Sequence, residues 1–341
     1  MKKLNLFFAC MAVTFAGIFT SCELNNEDNP TPQPEQQAAI QSYFSISNAT
    51  YQEEAIPTNG TGAIEGIAFN ENALSGGMNL ISVSSEEEYN RFYVGLEGVQ
   101  GYYEYTPEAL SGARPSTRDT QVFIYRIPIA YSVNLNSDII IIIVGVRTDG
   151  TITAPSRIES HFVESLSGDL NINLTFNNEK DVDLHLYTPD DKHIYYGDRG
   201  GSIETTDGEI ITFGLDHDSN AACYIDGLNN ENIYLPEALI VPGTYRVVVD
   251  MYSNCDTSVA TDWAIVARYQ GNIITPTTGE NPASGTYPVG AGNGDMTTVM
   301  EFTIGSPSAA RGLVPMLKEN TFVPVPLSDI DMMKMEEASW R

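Results

Sequence analysis

Positive charge is what this sequence has least of. Seventeen Lys and Arg stand against 45 Asp and Glu, a formal net charge of −28 at pH 7. A chain so acidic argues against nucleic acid and anionic membrane surfaces as direct partners. It favours cations, neutral glycans or basic partners. Catalytic signatures are also missing. There is no H-E-x-x-H, no G-x-S-x-G and no G-x-x-x-x-G-K-S/T. GAGNGD, residues 290–295, is rich in Gly but lacks dinucleotide-loop spacing and follows no βα pattern, so it reads as a loop. Long amphipathic helical stretches are absent from the body of the chain, which excludes a helical bundle. Long apolar runs are limited to Leu4–Phe19, interrupted by Asn5.

That run follows Lys2 and Lys3 and precedes Thr20-Ser21-Cys22. A positive start, a short apolar stretch and small residues are the layout of a secretory signal peptide. The stretch is short for a spanning helix of roughly 20 residues. With a cysteine at the cleavage point it resembles a bacterial lipoprotein signal, which implies that Cys22 becomes the lipidated first residue of an outer-membrane lipoprotein. Residues 23–38, ELNNEDNPTPQPEQQA, carry three Pro and no large apolar residue after Leu24. Such a segment buries too little to offset its ordering entropy and reads as a tether. Its acids Glu23, Glu27 and Asp28 resemble the export signal of Bacteroidota-type surface lipoproteins, which implies exposure at the cell surface. The alternative is a periplasm-facing lipoprotein. Losing Lys2 and Lys3 with the leader takes the net charge from −28 to about −30.

Of four cysteines, Cys10 departs with the leader and Cys22 takes the lipid. Cys223 and Cys255 remain, an even pair in an oxidising compartment, where a disulfide is expected. No C-x-x-C or nearby His pair completes a zinc site.

The rest of the chain has a period of two. Leu170, Ile172, Leu174 and Phe176 alternate with Asn171, Asn173 and Thr175. Tyr245, Val247, Val249 and Met251 do the same, as do Met300, Phe302 and Ile304. Apolar Ile139–Val144 reads as a buried strand, and Asp149-Gly150 as a tight hairpin turn. Many short strands with frequent turn signals predict an all-β protein of two β-sandwich, immunoglobulin-like domains. The predicted divisions are a leader over 1–21, an acidic, Pro-rich tether over 22–42, sandwiches over 43–160 and 166–305, and a tail over 306–341. Residues 84–92, SSEEEYNRF, read as a short helix capped by Ser84 or Ser85. The tail's SDIDMMKMEEASWR reads as a second helix, capped by Ser328, with Ile330, Met333, Met335 and Trp340 as a rough apolar side.

The densest chemical signal is DVDLHLYTPDD, residues 181–191. On a strand, Val182, Leu184 and Leu186 share one face, and Asp181, Asp183 and His185 the other. Carboxylates at i and i+2 lie about 7 Å apart, so one cation between them is within reach of both. GLDHDSNAAC, residues 214–223, places Asp216, Asp218 and Asn220 at every second position. This is no EF-hand: counted from Asp216, position six is Ala221 and position twelve is Gly227. Glu231 could add a further oxygen after a turn. Asp181, Asp183, Asp216, Asp218, Asn220 and Glu231 are therefore the candidate ligands, and calcium, which takes six to eight oxygens, is the candidate cofactor. The bland alternative is solvated surface acid. His185 and His217 read as neighbours, with transition-metal binding a minor alternative.

DVDLHLYTPDDKHIYYGD, GLDHDSNAAC, NNENIYLP and PGTYRVVVDMYSNC, in that order, resemble the YfaP-type bacterial domain of uncharacterised function. The resemblance spans residues 166 to about 272, with Asp191 standing where that family often has Gly. It implies a compact β-sandwich of secreted and envelope proteins and brings no known catalytic activity. Aromatics are the other candidate surface: an exposed Tyr of Tyr195-Tyr196, or of Tyr102, Tyr103 and Tyr105, could stack on a sugar ring, against plain packing. Trp263 shares a face with Ile265 and Ala267 and reads as core.

The sequence thus points to a lipid-anchored, non-catalytic envelope protein that engages a glycan or a surface protein. Two alternatives stay open: a structural component of a surface assembly, and a glycoside hydrolase using two carboxylates. The anchor is testable directly. Cys22→Ser is expected to abolish incorporation of labelled palmitate in cells; a variant that still takes up label removes the lipoprotein reading.

Overall fold

The computed structural model describes residues 39–107, 122–305 and 315–338. Cys22, the leader, most of the tether and Trp340 lie outside these described residues. Residues 37–341 form one contact unit, and the fold is all-β, as the alternation predicts.

Two sheets enclose the first core. One runs in the order Phe44–Ser45, Phe123–Tyr131, Met78–Ser85, Ile67–Ala68. The other runs Thr50–Gln52, Val99–Tyr105, Tyr89–Leu96, Ile139–Arg147, Ser156–Val163, Asn72–Leu74, its last pair parallel. Phe92, Val94, Ile127, Ile129, Ile141 and Ile143 meet between them, all fully buried. Ile139–Arg147 is interior, paired with Tyr89–Leu96 on one side and Ser156–Val163 on the other. That explains its continuous apolar run, since both its edges and both its faces are covered. Gly150, at φ +85°, turns the chain at the predicted hairpin, and Arg147 and Thr151 pair across it. Ile40 is fully buried in this core, so the folded chain reaches back to that residue.

No helix forms over 84–92. Met78–Ser85 and Tyr89–Leu96 are strands, with the three acids at the bend between them. Phe92, Val94 and Leu96 point inward at every second position, and the Ser85 hydroxyl accepts the Glu87 N–H within the bend. Local capping potential yields here to two strands that each bury a face.

The second core lies between an eight-stranded sheet, which includes Thr261–Tyr269, Leu170–Phe176, Asn230–Leu235 and Ile210–His217, and a five-stranded one. The latter runs His193–Ile194, Asp181–Tyr187, Gly243–Ser253, Asp295–Ile304, Thr278–Gly279. Leu174, Leu184, Val247, Ile265 and Phe302 are fully buried inside, and Trp263 packs with them. The other face of Leu170–Phe176 is not wet. Asn173 and Thr175 are also buried, because the strand Met78–Ser85 of the first sandwich lies across that side. Met78 and Leu80 pack there on Ala264 and Val266. Polar bonds surround this small apolar contact: Ser82 donates to Asp262 at 2.6 Å, Arg126 to Asp262 at 2.7 Å, and buried Arg268 to the carbonyls of Gly76 and Tyr131.

Cys223 and Cys255 are bonded, their Cα atoms 5.7 Å apart and 32 residues distant in sequence. The bridge ties the loop after Ile210–His217 to the end of Gly243–Ser253. Closing a loop of that length restricts the unfolded chain by about 3–4 kcal/mol. The double variant Cys223→Ser/Cys255→Ser should lose stability of that order in urea unfolding. A loss below about 1 kcal/mol would mean that the loop is held by its other bonds.

Candidate functional site: a carboxylate cluster around Lys334

The strand Asp181–Tyr187 divides as its alternation requires. Val182, Leu184 and Leu186 enter the second core, while Asp181, Asp183 and His185 point out of it. Outward is not exposed: Asp181 is 0% and Asp183 1% accessible. The cover is a helix, Asp329–Ala338, with the turn Ala221–Cys223 beside it.

The helix begins as its sequence predicts. The Ser328 hydroxyl accepts the Asp331 N–H at 3.1 Å, and the Asp331 carboxylate accepts the Ser328 N–H at 2.7 Å, a reciprocal cap. Its orientation is the reverse of an amphipathic helix. The buried residues are Asp331 and Lys334, while Met332, Met333 and Met335 face solvent. Of the expected apolar side, Met333 and Met335 are outermost and Ile330 is half-buried, while Trp340 lies outside the described residues.

Lys334 accounts for the inversion. Its ammonium donates to Asp183 Oδ1 at 2.7 Å, to Asp181 Oδ1 at 3.1 Å and to Asp218 Oδ1 at 3.1 Å. It lies 4.4 Å from the Tyr196 ring centroid and 4.6 Å from that of Tyr252, whose hydroxyl bonds the Lys334 carbonyl at 2.7 Å. Both rings offer a negative face to the cation. Glu231, 1% accessible, approaches from Asn230–Leu235 and accepts the Leu184 N–H at 2.6 Å.

Four carboxyls face one ammonium, and three of them, Asp181, Asp218 and Glu231, are pushed toward the protonated form. Burial, then the charge of Asp183, pushes the Asp181 carboxyl up to about 9, against the pull of Lys334. Burial raises Asp218 to about 7, again opposed by Lys334. Glu231 is raised well above the usual carboxylate range by burial and by Asp183 and Asp218. Burial alone would lower Lys334, but Asp183, Asp218, Asp181 and Glu231 outweigh it and hold the ammonium charged.

Of the six predicted ligands, the structure brings together Asp181, Asp183, Asp218 and Glu231. Asp216 sits elsewhere, where it accepts the Leu166 N–H at 2.6 Å. A register shift between Leu215 and His217 separates it from Asp218. Asn220 is buried as a loop anchor: its amide donates to the Lys180 carbonyl and Asn229, and accepts the N–H groups of Asp226 and Gly227. Cys223 closes the same loop, so most of GLDHDSNAAC serves structure, and only Asp218 reaches the cluster.

The two histidines also part. His217 faces Asp216, while His185 Nδ1 lies 2.8 Å from His193 Nε2. Burial pushes both His185 and His193 down to about 4. His193 is sandwiched between Tyr187 at 4.1 Å and Tyr195 at 3.9 Å, with Arg246 stacked over Tyr187. Tyr195 therefore spends one ring face within the protein, while Tyr196 is buried against Lys334. In the first sandwich, Tyr103 is buried and Tyr102 packs edge-on to Tyr93.

The pH dependence follows from these directions. Asp181, Asp218 and Glu231 keep protons when folded at pH values where unfolded carboxyls have lost them. Their stabilisation is full below the unfolded carboxyl range and is lost as pH rises through about 7 for Asp218 and about 9 for Asp181. The lowered histidines act oppositely, but only below their ordinary value of 6.5. The melting temperature is therefore expected to fall between pH 6.5 and 9. Asp218→Asn, with no proton to lose, should flatten the lower part of the fall; a wild-type profile that is flat or rises across this window contradicts the protonated cluster.

No family model matches this sequence, and no curated protein does. Among solved structures, the C-terminal domain of the Streptococcus agalactiae AgI/II polypeptide BspA aligns over 64% of this chain and 100% of its own, at 8% identity and a TM-score of 0.20. A second structure named for the same wild-type domain covers 61% of this chain and 96% of its own, at 8% identity and a TM-score of 0.20. Likeness at that level carries no argument about this chain's function.

Proposed function

We propose that this chain is a lipid-anchored, non-catalytic binding protein of the cell envelope, held at the outer membrane through Cys22 and displayed at the cell surface, with a YfaP-type second sandwich. Its ligand is a neutral glycan, bound at the seam of the two sandwiches; a surface protein is the alternative partner. The observation that carries this reading is a groove of about 650 Å³ at that seam. Amides line it, among them Asn72, Asn177 and Asn178, together with the half-open apolar side chains Ile225 and Val259. Amide donors and acceptors beside small apolar patches suit sugar hydroxyls and ring faces.

The hydrolase alternative needs a carboxyl of raised pKa in an open cleft. The raised carboxyls Asp181, Asp218 and Glu231 instead bond beneath a helix. Asp256, in the groove, is lowered by hydrogen bonds from Ser258. The structural-component alternative would be favoured by an apolar strand at a sheet edge, but the apolar strand Ile139–Arg147 is interior to its sheet.

The test is a glycan microarray probed with the protein, followed by titration of any hit. Asn178→Ala and Ile225→Ser, both at the groove, should each weaken binding at least about tenfold, as loss of one good polar or apolar contact does. A hit that both variants retain at full affinity places the ligand elsewhere. An array without hits turns the search to protein partners.

A further inference from the structure

The seat of the Lys334 ammonium has the form of a metal site. Three carboxylate oxygens, from Asp181, Asp183 and Asp218, converge on one point from a strand and from the loop after another. Their oxygens all lie within 4.8 Å of one another. Ligands on opposite sides of a calcium ion, at roughly 2.4 Å each, span about the same distance. The cluster also has unused capacity: Asp183 Oδ2 and Glu231 Oε1 are buried without a hydrogen-bond partner. One ammonium has three N–H donors, too few to reach Asp183 Oδ2 and Glu231 Oε1 as well.

The helix that delivers the ammonium is held by polar contacts more than by apolar burial. It buries Asp331 and Lys334 and exposes Met332, Met333 and Met335 at 47%, 43% and 39%. Asp331 lies 3.5 Å from Arg199 and hydrogen-bonds the Asp218 carboxyl of the cluster. Without the Lys334 bonds, the seated helix keeps little apolar burial to hold it down.

We propose that Asp181, Asp183 and Asp218, with Glu231 beside them, form a divalent-cation site, suited to calcium by its all-oxygen donors, in which Lys334 is a tethered competitor, so that cation binding and seating of the C-terminal helix exclude one another. A bound cation supplies two charges where the ammonium supplies one, and uses the oxygens the ammonium leaves over. Entry of the cation expels Lys334 and frees the helix; removal of the cation reseats it. The helix is then a reporter of cation outside the cell, independent of what the groove binds.

The test has two arms. Calcium binding is measured by titration calorimetry on the wild-type protein and on Lys334→Met, which removes the competitor and keeps the stem. The dissociation constant is expected to fall at least about tenfold in the variant, because the site no longer divides its time with the helix. A folded variant that binds calcium no tighter than wild type overturns the proposal. If the variant does not fold, wild-type hydrogen exchange decides. The amides of Asp329–Ala338 should exchange faster in about 10 mM CaCl2, above the weak end of extracellular calcium sites, than in NaCl of equal ionic strength. Equal protection in both salts overturns the proposal.

Discussion

One ammonium organises the acidic half of this molecule. Lys334 bonds carboxylates from a strand and from a neighbouring loop, and Glu231 from a third element shares its field. Taking such charges out of water costs several kcal/mol per ion, which attraction repays only when the geometry is good and the remaining polar atoms are satisfied. Two tyrosine faces and three short bonds supply much of that here. Protons on Asp181 and Glu231 supply the rest, by reducing the number of negative charges that one cation must balance. The cluster is therefore a device of specificity more than of net stability: it dictates which residues of the last helix turn inward, against the ordinary preference for methionine.

The same logic of buried polarity governs how the sandwiches meet. Asn70 donates to Thr175 and to the carbonyls of Leu228 and Asn229, and Asn79 bonds the carbonyl of Asn70 and the Tyr131 hydroxyl. Each amide satisfies a backbone or side-chain group that the contact would otherwise strand. The loop of residues 218–229, closed by Asn220 and by the Cys223–Cys255 bridge, is thereby fastened both to the second sandwich and to the first. It borders the carboxylate cluster on one side and the amide-lined groove on the other.

Much of the fold was legible because its signals are local. Alternation along Leu170–Phe176 and Gly243–Ser253 identified strands and their inward faces, Asp149-Gly150 identified its turn, and Ser328 its helix start. SSEEEYNRF misled because caps and acids are also local signals, and only the sheet around them shows that Phe92 and Val94 must point inward. The carboxylate cluster was half legible. Asp181 and Asp183 declared a shared face, but nothing within reach in sequence showed that Asp216 would fall beyond a register shift, or that Asn220 would be consumed by its own loop. Lys334 lies 116 to 153 residues from its partners, on a helix whose pattern advertised the methionines. A clue lay in an imbalance: acids sharing one strand face with no nearby base must, if covered, find a cation somewhere.

That imbalance also bears on what the acids can do. A carboxyl serves as a general acid when its proton is exchangeable with a substrate oxygen in an open cleft. The raised carboxyls Asp181, Asp218 and Glu231 sit under a helix, where an ammonium and backbone N–H groups bond some of their oxygens. Their protons answer to the position of Lys334. On the proposal of a competing cation, moving the helix would change the charge of the cluster, and changing that charge would move the helix. Chemistry of that kind would couple an ion to a conformation, and it is separate from the proposed recognition at the groove on the far side of the same loop.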